Sequence, residues 1–279
     1  KKFGLNFIFK LFFMEENIVK QQVVLEFLVK FVLVAILKEK NQLKQSEHSM
    51  PNINLFPLSI IKEKISLDED VKKKMIEEII SMISQPENKK IRGEESSWTG
   101  DTQGFEYLFK NRKFYPLLSE IKKSLIKYIN HLGIDENKID LYMTRSWATV
   151  SIGKERISRH KHKQSHISFA YYLKKNENDS NIVFFDENYQ NEIIPGLFVS
   201  STIKDRGIMK NLNLANAVSV DVKVDEDDII IFPSKALHGT QADKSNNKRI
   251  SISGDVICVA KDSNLLETMM PPINNWDII

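Results

Sequence analysis

The sequence predicts a mainly β protein of the jelly-roll or barrel type, with helices flanking the strands. Three observations support this fold class. After Gly133 the spacing of apolar residues changes from helical to alternating. About eight short segments with strand-like composition follow, and strongly polar turns such as KKNENDS and KSNNK separate them. Short strands at such spacing are typical of jelly rolls and barrels.

Two helices and an edge strand are expected ahead of the β region. The segment 53–61, INLFPLSII, contains a proline, which suits an edge strand. Ser66 and Glu69 form a capping box that would open a first helix. A second helix is predicted from Pro116 to Leu132, with Gly133 closing it.

The strands are expected after the second helix and up to about residue 260. The better-defined candidates are 139–151, 167–173, 181–186, 216–224, 228–232 and 249–259. Shorter strands are expected near 156–162 and 197–203. We therefore predict one domain over residues 50–279, with helical support at 66–132 and a β core at 139–260.

Residues 1–49 differ in character from the rest. Their second apolar stretch is interrupted by Glu26 and Lys30, so it lacks the run of about 20 apolar residues that a membrane span needs. We expect the natural protein to start at Met50 and residues 1–49 to lie outside the fold. The alternative is an amphipathic helix that docks on a membrane or a partner.

Charge and cysteine content narrow the class of protein. The chain has 40 Lys and Arg against 37 Asp and Glu; eight Lys and five Glu fall in residues 1–49, which leaves 32 of each sign in residues 50–279. A neutral body gives no support for nucleic-acid binding. Cys258 is the single cysteine, so no intrachain disulfide can form and a cytoplasmic location is expected.

Three histidines form a pattern that indicates a metal site. His160 and His162 are two residues apart, so on an extended strand both point to one face. His238 follows the strand IIIFPS and could complete the set from a distant strand. Imidazole suits iron, zinc and copper at neutral pH. A polar histidine at a strand end is the common alternative for any one of them alone.

Arg249 indicates an anion site beside the histidines. It opens the segment RISIS eleven residues after His238. An arginine pointing into a β-barrel is costly to bury unless it meets an anion, and its planar fork matches a carboxylate. Ser251, two residues on, would face the same way. A surface arginine at a strand start is the simpler alternative.

Five segments in chain order resemble the iron(II)- and 2-oxoglutarate-dependent oxygenases, in particular a subfamily of the type found in marine phages and bacteria. The segments are SWATVSIG, HKHKQSHISFAYYL, IVFFD, FPSKALHG and KRISIS. The resemblance covers residues 50–260. It implies a cupin-like double-stranded β-helix, with iron(II) bound by His160 and His238 and the far carboxylate of 2-oxoglutarate held by Arg249. It also implies hydroxylation of a substrate with release of succinate and CO2, and a bacterial host cytoplasm if the protein is phage-encoded.

Two departures from the family pattern affect the site. The third ligand is usually Asp or Glu at the position of His162. We favour His162 as the ligand and keep Asp186 as the alternative. A neutral triad would leave the iron centre one unit more positive. Phe169 stands where glycine is usual, which could reshape the substrate mouth.

Several residues near the site have secondary expectations. His166 is expected in a solvated turn, and Trp147 and Tyr172 are expected as core aromatics. The loops 94–104 and 187–215 are the expected substrate contacts. The substrate could be a peptide side chain, a nucleotide or a small metabolite, and the oligomeric state is left open. The competing functions are a non-catalytic jelly-roll module, binding or phage-structural, and a cupin-type metalloenzyme without 2-oxoglutarate.

Overall fold

A computed structural model describes residues 53–85, 93–242 and 246–279. The chain divides into two compact units, Lys1–Leu58 and Ser59–Ile279, and every element described below lies in the second. The expected boundary at Met50 lies outside the described residues. Among those residues, no helix combines the length and the apolar character needed to cross a bilayer.

The helices precede the main β region, apart from one short helix late in the chain. They are α1 (Glu69–Ile83), α2 (Tyr115–His131) and α3 (Ser201–Asp205), with 3-10 turns at Gly100–Thr102, Leu108–Lys110, Arg112–Phe114 and Ile273–Asn275. The capping box at Ser66 was wrong, because Asp68 is the N-cap and its side chain accepts from Asp70 N–H.

The strands form two antiparallel sheets. They are β1 (Ile61–Lys64), β2 (Trp98–Thr99), β3 (Ile139–Ile152), β4 (Ile167–Lys174), β5 (Ile182–Phe185), β6 (Ser219–Val222), β7 (Asp228–Pro233), β8 (His238–Thr240) and β9 (Lys248–Ala260). The large sheet has the order β1-β7-β4-β9-β3-β2, and the small sheet has the order β6-β5-β8. This architecture is the predicted double-stranded β-helix with flanking helices.

Alternation along the strands places two apolar cores on opposite faces of the large sheet. In β7, Ile229 and Ile231 belong to the larger core, which also includes residues of α1 and α2. Ile230 and Phe232 belong to the smaller core, with Ile182 and Phe184 of the small sheet. The helices therefore cover one face, and the small sheet covers part of the other.

The polar residues of β9 follow the same alternation. Ile250 and Ile252 lie in the core under the helices, so Arg249, Ser251 and Ser253 fall on the opposite face. β9 lies between β3 and β4, so Ser251 and Ser253 are paired on both sides, and Arg249 is paired with Ser151 of β3. This face carries the candidate site.

Candidate metal centre

His160 and His162 lie in the irregular segment between β3 and β4, and His238 begins β8. The expected strand at 156–162 is absent; an isolated antiparallel bridge joins His160 to His238 instead. His160 N–H donates to His238 O at 2.9 Å, and His238 N–H donates to His160 O at 3.1 Å. A further bond from His162 N–H to Ser234 O at 3.0 Å holds the segment against the β7–β8 turn.

These bonds bring the three imidazoles together. One nitrogen of each ring lies within 4.8 Å of the other two. The ring centroids of His160 and His238 are 4.3 Å apart, and those of His162 and His238 are 5.2 Å apart. His162 and His238 are buried, whereas His160 is half-buried at the opening.

The hydrogen bonds of the rings leave Nε2 as the lone-pair nitrogen. Nδ1 of His160 lies 2.8 Å from Ser158 O, and Nδ1 of His238 lies 2.9 Å from Ala236 O. A carbonyl oxygen only accepts, so both Nδ1 atoms carry hydrogen. Burial, followed by the neighbouring His160, lowers the pKa of His238 to about 3 and keeps this ring neutral.

His162 shows the feature that fits a metal most directly. Its Nδ1 donates to Asp255 Oδ1 at 2.6 Å, so its Nε2 also carries a lone pair. This Nε2 is buried and has no hydrogen-bond partner in the part of the chain that the structure describes. A buried orphan nitrogen is costly unless something binds it, and a divalent metal ion is the ligand that suits a three-imidazole set.

Arg249 and Ser251 line the same cavity as the histidines. The cavity has a volume of about 260 Å³, and its wall includes His160, His162 and His238. Arg249 is buried, and its guanidinium donates to Ser180 O at 2.9 Å and to Ser151 Oγ at 3.0 Å. All five residues predicted for the site thus converge on one cavity.

Other expectations for the site had mixed outcomes. Asp186 is exposed, and its Oδ1 accepts from Asn188 N–H, so the structure does not bring it to the histidines. His166 is also exposed, and its Nδ1 accepts from Cys258 N–H. Nδ1 of His166 therefore carries no hydrogen, whereas Nδ1 of each clustered histidine carries one. Trp147 and Tyr172 are buried and line the cavity.

Asp255 is the site residue that the sequence reasoning missed. It is fully buried in β9 and accepts from His162, Ser165 and Ser168 through Oδ1, and from Gln164 through Oδ2. Burial raises its pKa, but the bonds from His162, Ser168 and Ser165 outweigh this and lower it. The signal was available, because Asp255 continues the two-residue spacing of Arg249, Ser251 and Ser253.

A second charged pair lies at another part of the cavity wall. Arg145 Nη2 donates to Asp101 Oδ2 at 3.0 Å, and the Arg145 guanidinium lies 5.1 Å from the ring of Trp147. Trp147 in turn stacks on His162 at a centroid distance of 5.6 Å. Thr99, Asp101 and Thr102 all line the cavity, so the predicted loop 94–104 contributes to it, whereas no lining residue comes from 187–215.

The sequence matches one family model, described as "Putative 2OG-Fe(II) oxygenase", over residues 145–255. No functionally curated protein matches the chain. The match covers the three histidines, Arg249 and Asp255.

Among solved structures, HygX from Streptomyces hygroscopicus with nickel and 2-oxoglutarate bound is similar at 11% identity and a TM-score of 0.45, over 77% of this chain and 92% of that one. A Pseudomonas putida prolyl-4-hydroxylase is similar at 12% identity and a TM-score of 0.45, over 72% of this chain and 92% of that one. The α-ketoglutarate-dependent carbocyclase SnoK from nogalamycin biosynthesis is similar at 10% identity and a TM-score of 0.49, over 77% of this chain and 87% of that one.

The matched segment begins within β3 and ends within β9, and it contains the whole small sheet together with β4 and β7 of the large sheet. Over residues 145–255, which include the candidate metal centre, this chain is thus similar to the family described as putative 2OG-Fe(II) oxygenases.

Proposed function

We propose that this protein is a dioxygenase that hydroxylates a substrate while 2-oxoglutarate is converted to succinate and CO2. The observation that carries the proposal is the convergence of three imidazoles and one buried arginine on a cavity of about 260 Å³. A cupin-type metalloenzyme without a keto acid has no need of an arginine in that wall. A non-catalytic module could use the histidines to bind zinc, but it has no need of the arginine either.

In this proposal His160, His162 and His238 hold the iron through Nε2. Support comes from the hydrogen positions of the three rings, which direct each lone pair away from its Nδ1 partner. Further support comes from the orphan Nε2 of His162. Three protein ligands leave other coordination positions open for the keto acid and for O2.

Arg249 and Ser251 hold the far carboxylate of 2-oxoglutarate. The fork of Arg249 matches a carboxylate in two parallel hydrogen bonds, and Ser251 faces the same cavity. Ser180 O and Ser151 Oγ fix the guanidinium before the ligand arrives, which reduces the ordering cost of binding.

Once bound, iron(II) and 2-oxoglutarate supply the activation of O2 and the oxidising equivalents. The chain contributes positioning and exclusion of water. The aromatic and aliphatic walls formed by Trp147, Ile182 and Phe232 shield the histidine cluster from one side. The polar side at Thr99, Asp101 and Arg145 is where a substrate with hydrogen-bonding groups would contact the chain.

The substrate class within this proposal is a peptide side chain, a nucleotide or a small metabolite. We also propose a cytoplasmic location, because the chain has a single cysteine, Cys258, and so forms no intrachain disulfide.

The direct test is succinate formation from 2-oxoglutarate after anaerobic loading of the full chain with Fe(II). Arg249→Ala should weaken 2-oxoglutarate binding by more than tenfold, because the carboxylate loses a bidentate partner, while the metal content stays near one per chain. Titration calorimetry measures the first quantity and metal analysis the second.

Arg206→Ala is the matched control, since this arginine lies at the end of α3 and outside the cavity wall. It should leave both quantities unchanged. Loss of metal from Arg249→Ala would show that the roles are divided differently. Failure of the wild-type chain to bind 2-oxoglutarate or to form succinate would refute the proposed function.

A further inference from the structure

Asp255 is an ionisable residue at a fully buried position, where a carboxylate is not expected without hydrogen-bond donors. Its side chain is 0% exposed, in the middle of the central strand of the large sheet. Burying a carboxylate is expensive unless several donors meet it. Such a residue is therefore expected to have a specific partner that justifies the burial.

The partners of Asp255 divide between its two oxygens. Oδ1 accepts from His162 Nδ1 at 2.6 Å, from Ser168 at 3.0 Å and from Ser165 at 3.2 Å. Oδ2 accepts from Gln164 at 3.1 Å, and Arg145 Nη1 lies 3.9 Å away. The shortest contact is the one to the imidazole, as is typical of hydrogen bonds that involve an ionised group.

The contact between Asp255 and His162 bears on the charge of the candidate metal centre. The three grouped side chains, His160, His162 and His238, are all imidazoles, so none of them brings a negative charge to a bound metal ion. Asp255 is not among the grouped ligand atoms, but it is one hydrogen bond from one of them. A carboxylate is therefore present beside the three imidazoles, on the far side of His162.

We propose that Asp255 is a positioning residue that supplies the negative charge of the metal centre through His162. The carboxylate draws the Nδ1 hydrogen toward itself, which makes Nε2 a stronger donor to a metal ion, and it fixes the ring orientation. This inference rests on the proposed metal-binding role of His162. It goes beyond that role by assigning the acidic group of the site.

The geometry of the ring supports an orienting role as well. His162 is held at Nδ1 by Asp255 and on its face by Trp147, with an interplanar angle of 20°. Asp255 itself is paired in register with Arg145 on one side and Ser168 on the other. An imidazole attached to an irregular segment is thus tied to a carboxylate that the sheet holds in place.

Asp255→Asn tests the charge with little change of shape, because the amide oxygen can still accept from His162 Nδ1–H. We expect Co(II) affinity, measured by calorimetry on the full chain, to fall 10- to 100-fold, the range typical of such outer partners. The visible absorption of bound Co(II) should shift as well. Wild-type Co(II) affinity in a folded Asp255→Asn chain would overturn the proposal.

Asp228→Asn is the matched control. Asp228 is also a buried carboxylate, but it lies in β7 and pairs with Lys62 and Lys64. We expect this variant to lower the melting temperature without changing Co(II) affinity. An equal loss of affinity in both variants would show that any buried charge affects the site through the fold, which would also overturn the proposal.

A wild-type measurement covers the case in which Asp255→Asn does not fold. In the Zn(II)-loaded protein, the Nδ1 proton of His162 should resonate further downfield than those of His160 and His238, whose acceptors are neutral carbonyls. Three similar shifts would contradict the proposal. Absence of succinate formation with Co(II) affinity still dependent on Asp255 would refute the proposed function and leave this inference standing.

Discussion

Phe169 and Gly254 show how a single glycine allows a large ring to pack in the core under the helices. Phe169 faces Gly254 across the β4–β9 ladder and is buried while lining the cavity. A Cβ on Gly254 would lie 2.5 Å from Phe169 Cζ and 3.0 Å from Arg145 O. The absence of a side chain at Gly254 is therefore what allows an aromatic ring at residue 169.

Gly254→Ala should destabilise the protein by about 1–3 kcal/mol, because the added methyl overlaps a packed ring and a backbone oxygen. Urea unfolding followed by circular dichroism measures the change. Adding Phe169→Leu should recover part of the loss, and Ser253→Ala is the neighbouring control. A Gly254→Ala chain with wild-type stability would contradict the packing described here.

At the scale of elements, the site depends on the contact between β8 and the segment that carries His160 and His162. This segment has no strand of its own and is held by bonds to Ser234 O and to the backbone of His238. Gly239 allows the close approach, since a Cβ there would lie 2.8 Å from Ile157 O. Removing that approach would separate the histidines without touching any of them.

Gly239→Ala should therefore weaken Co(II) binding by tenfold or more while the fold is retained. The reason is geometric: the methyl must push the 157–159 backbone away from β8, which displaces His160 from His238. Calorimetry reports the affinity, and circular dichroism reports the fold. Unchanged affinity would mean that the segment can relax without moving the rings.

The long elements could be predicted from sequence because their period is clear. The expected strands 139–151, 167–173 and 228–232 match β3, β4 and β7 to within one residue at each end. The short strands β2 and β8 were not predicted, because two or three residues are too few to show a periodic pattern. The expected strand near 197–203 is partly the short helix α3, whose N-cap Ser200 accepts a hydrogen bond from Ile203 N–H. Residues 53–60 form no strand, and the edge strand begins at Ile61.

The candidate site was predictable for the same reason. Two-residue spacing predicted that Arg249 and Ser251 face one way, and the H-x-H pattern paired His160 with His162. The same spacing places Asp255 on that face, but its contact with His162 depends on the register between β9 and the 160–168 segment, which spacing within one strand does not contain. The bridge that aligns His160 with His238 is a tertiary contact of the same kind.

For the molecule as a whole, a partly buried ionic cluster around Lys72 of α1 connects this helix to Tyr171 of the large sheet. Lys72 Nζ donates to Glu226 Oε1 at 2.7 Å and to Asp227 Oδ2 at 3.1 Å, and Tyr171 Oη donates to Asp227 Oδ1 at 2.7 Å. Burial lowers the pKa of Lys72, but the bonds to Glu226 and Asp227 outweigh it and raise the pKa above its usual value of 10.5. Burial, with the bond to Asp227, raises the pKa of Tyr171 as well.

These shifts predict the pH dependence of stability. For both groups the raised folded-state pKa means that the folded state holds a proton that the unfolded state releases, so stability is complete below about pH 10 and falls above it. Lys72→Met should cost about 2 kcal/mol at pH 8 and should flatten the alkaline decline. Urea unfolding at several pH values from 8 to 11.5 tests this, and parallel curves for the two proteins would contradict it.

The division of the centre between a strand and an irregular segment has a kinetic consequence. β9 is thirteen residues long and hydrogen-bonded along both edges, whereas the segment bearing His160 and His162 has only scattered backbone bonds. Amide exchange should thus be slow along β9 and fast around residues 156–166 in the metal-free chain, and local opening would release two ligands without global unfolding. Arg249 and Ser251 of β9 would therefore keep their positions while His160 and His162 move apart. Bound iron would hold the irregular segment against the sheet.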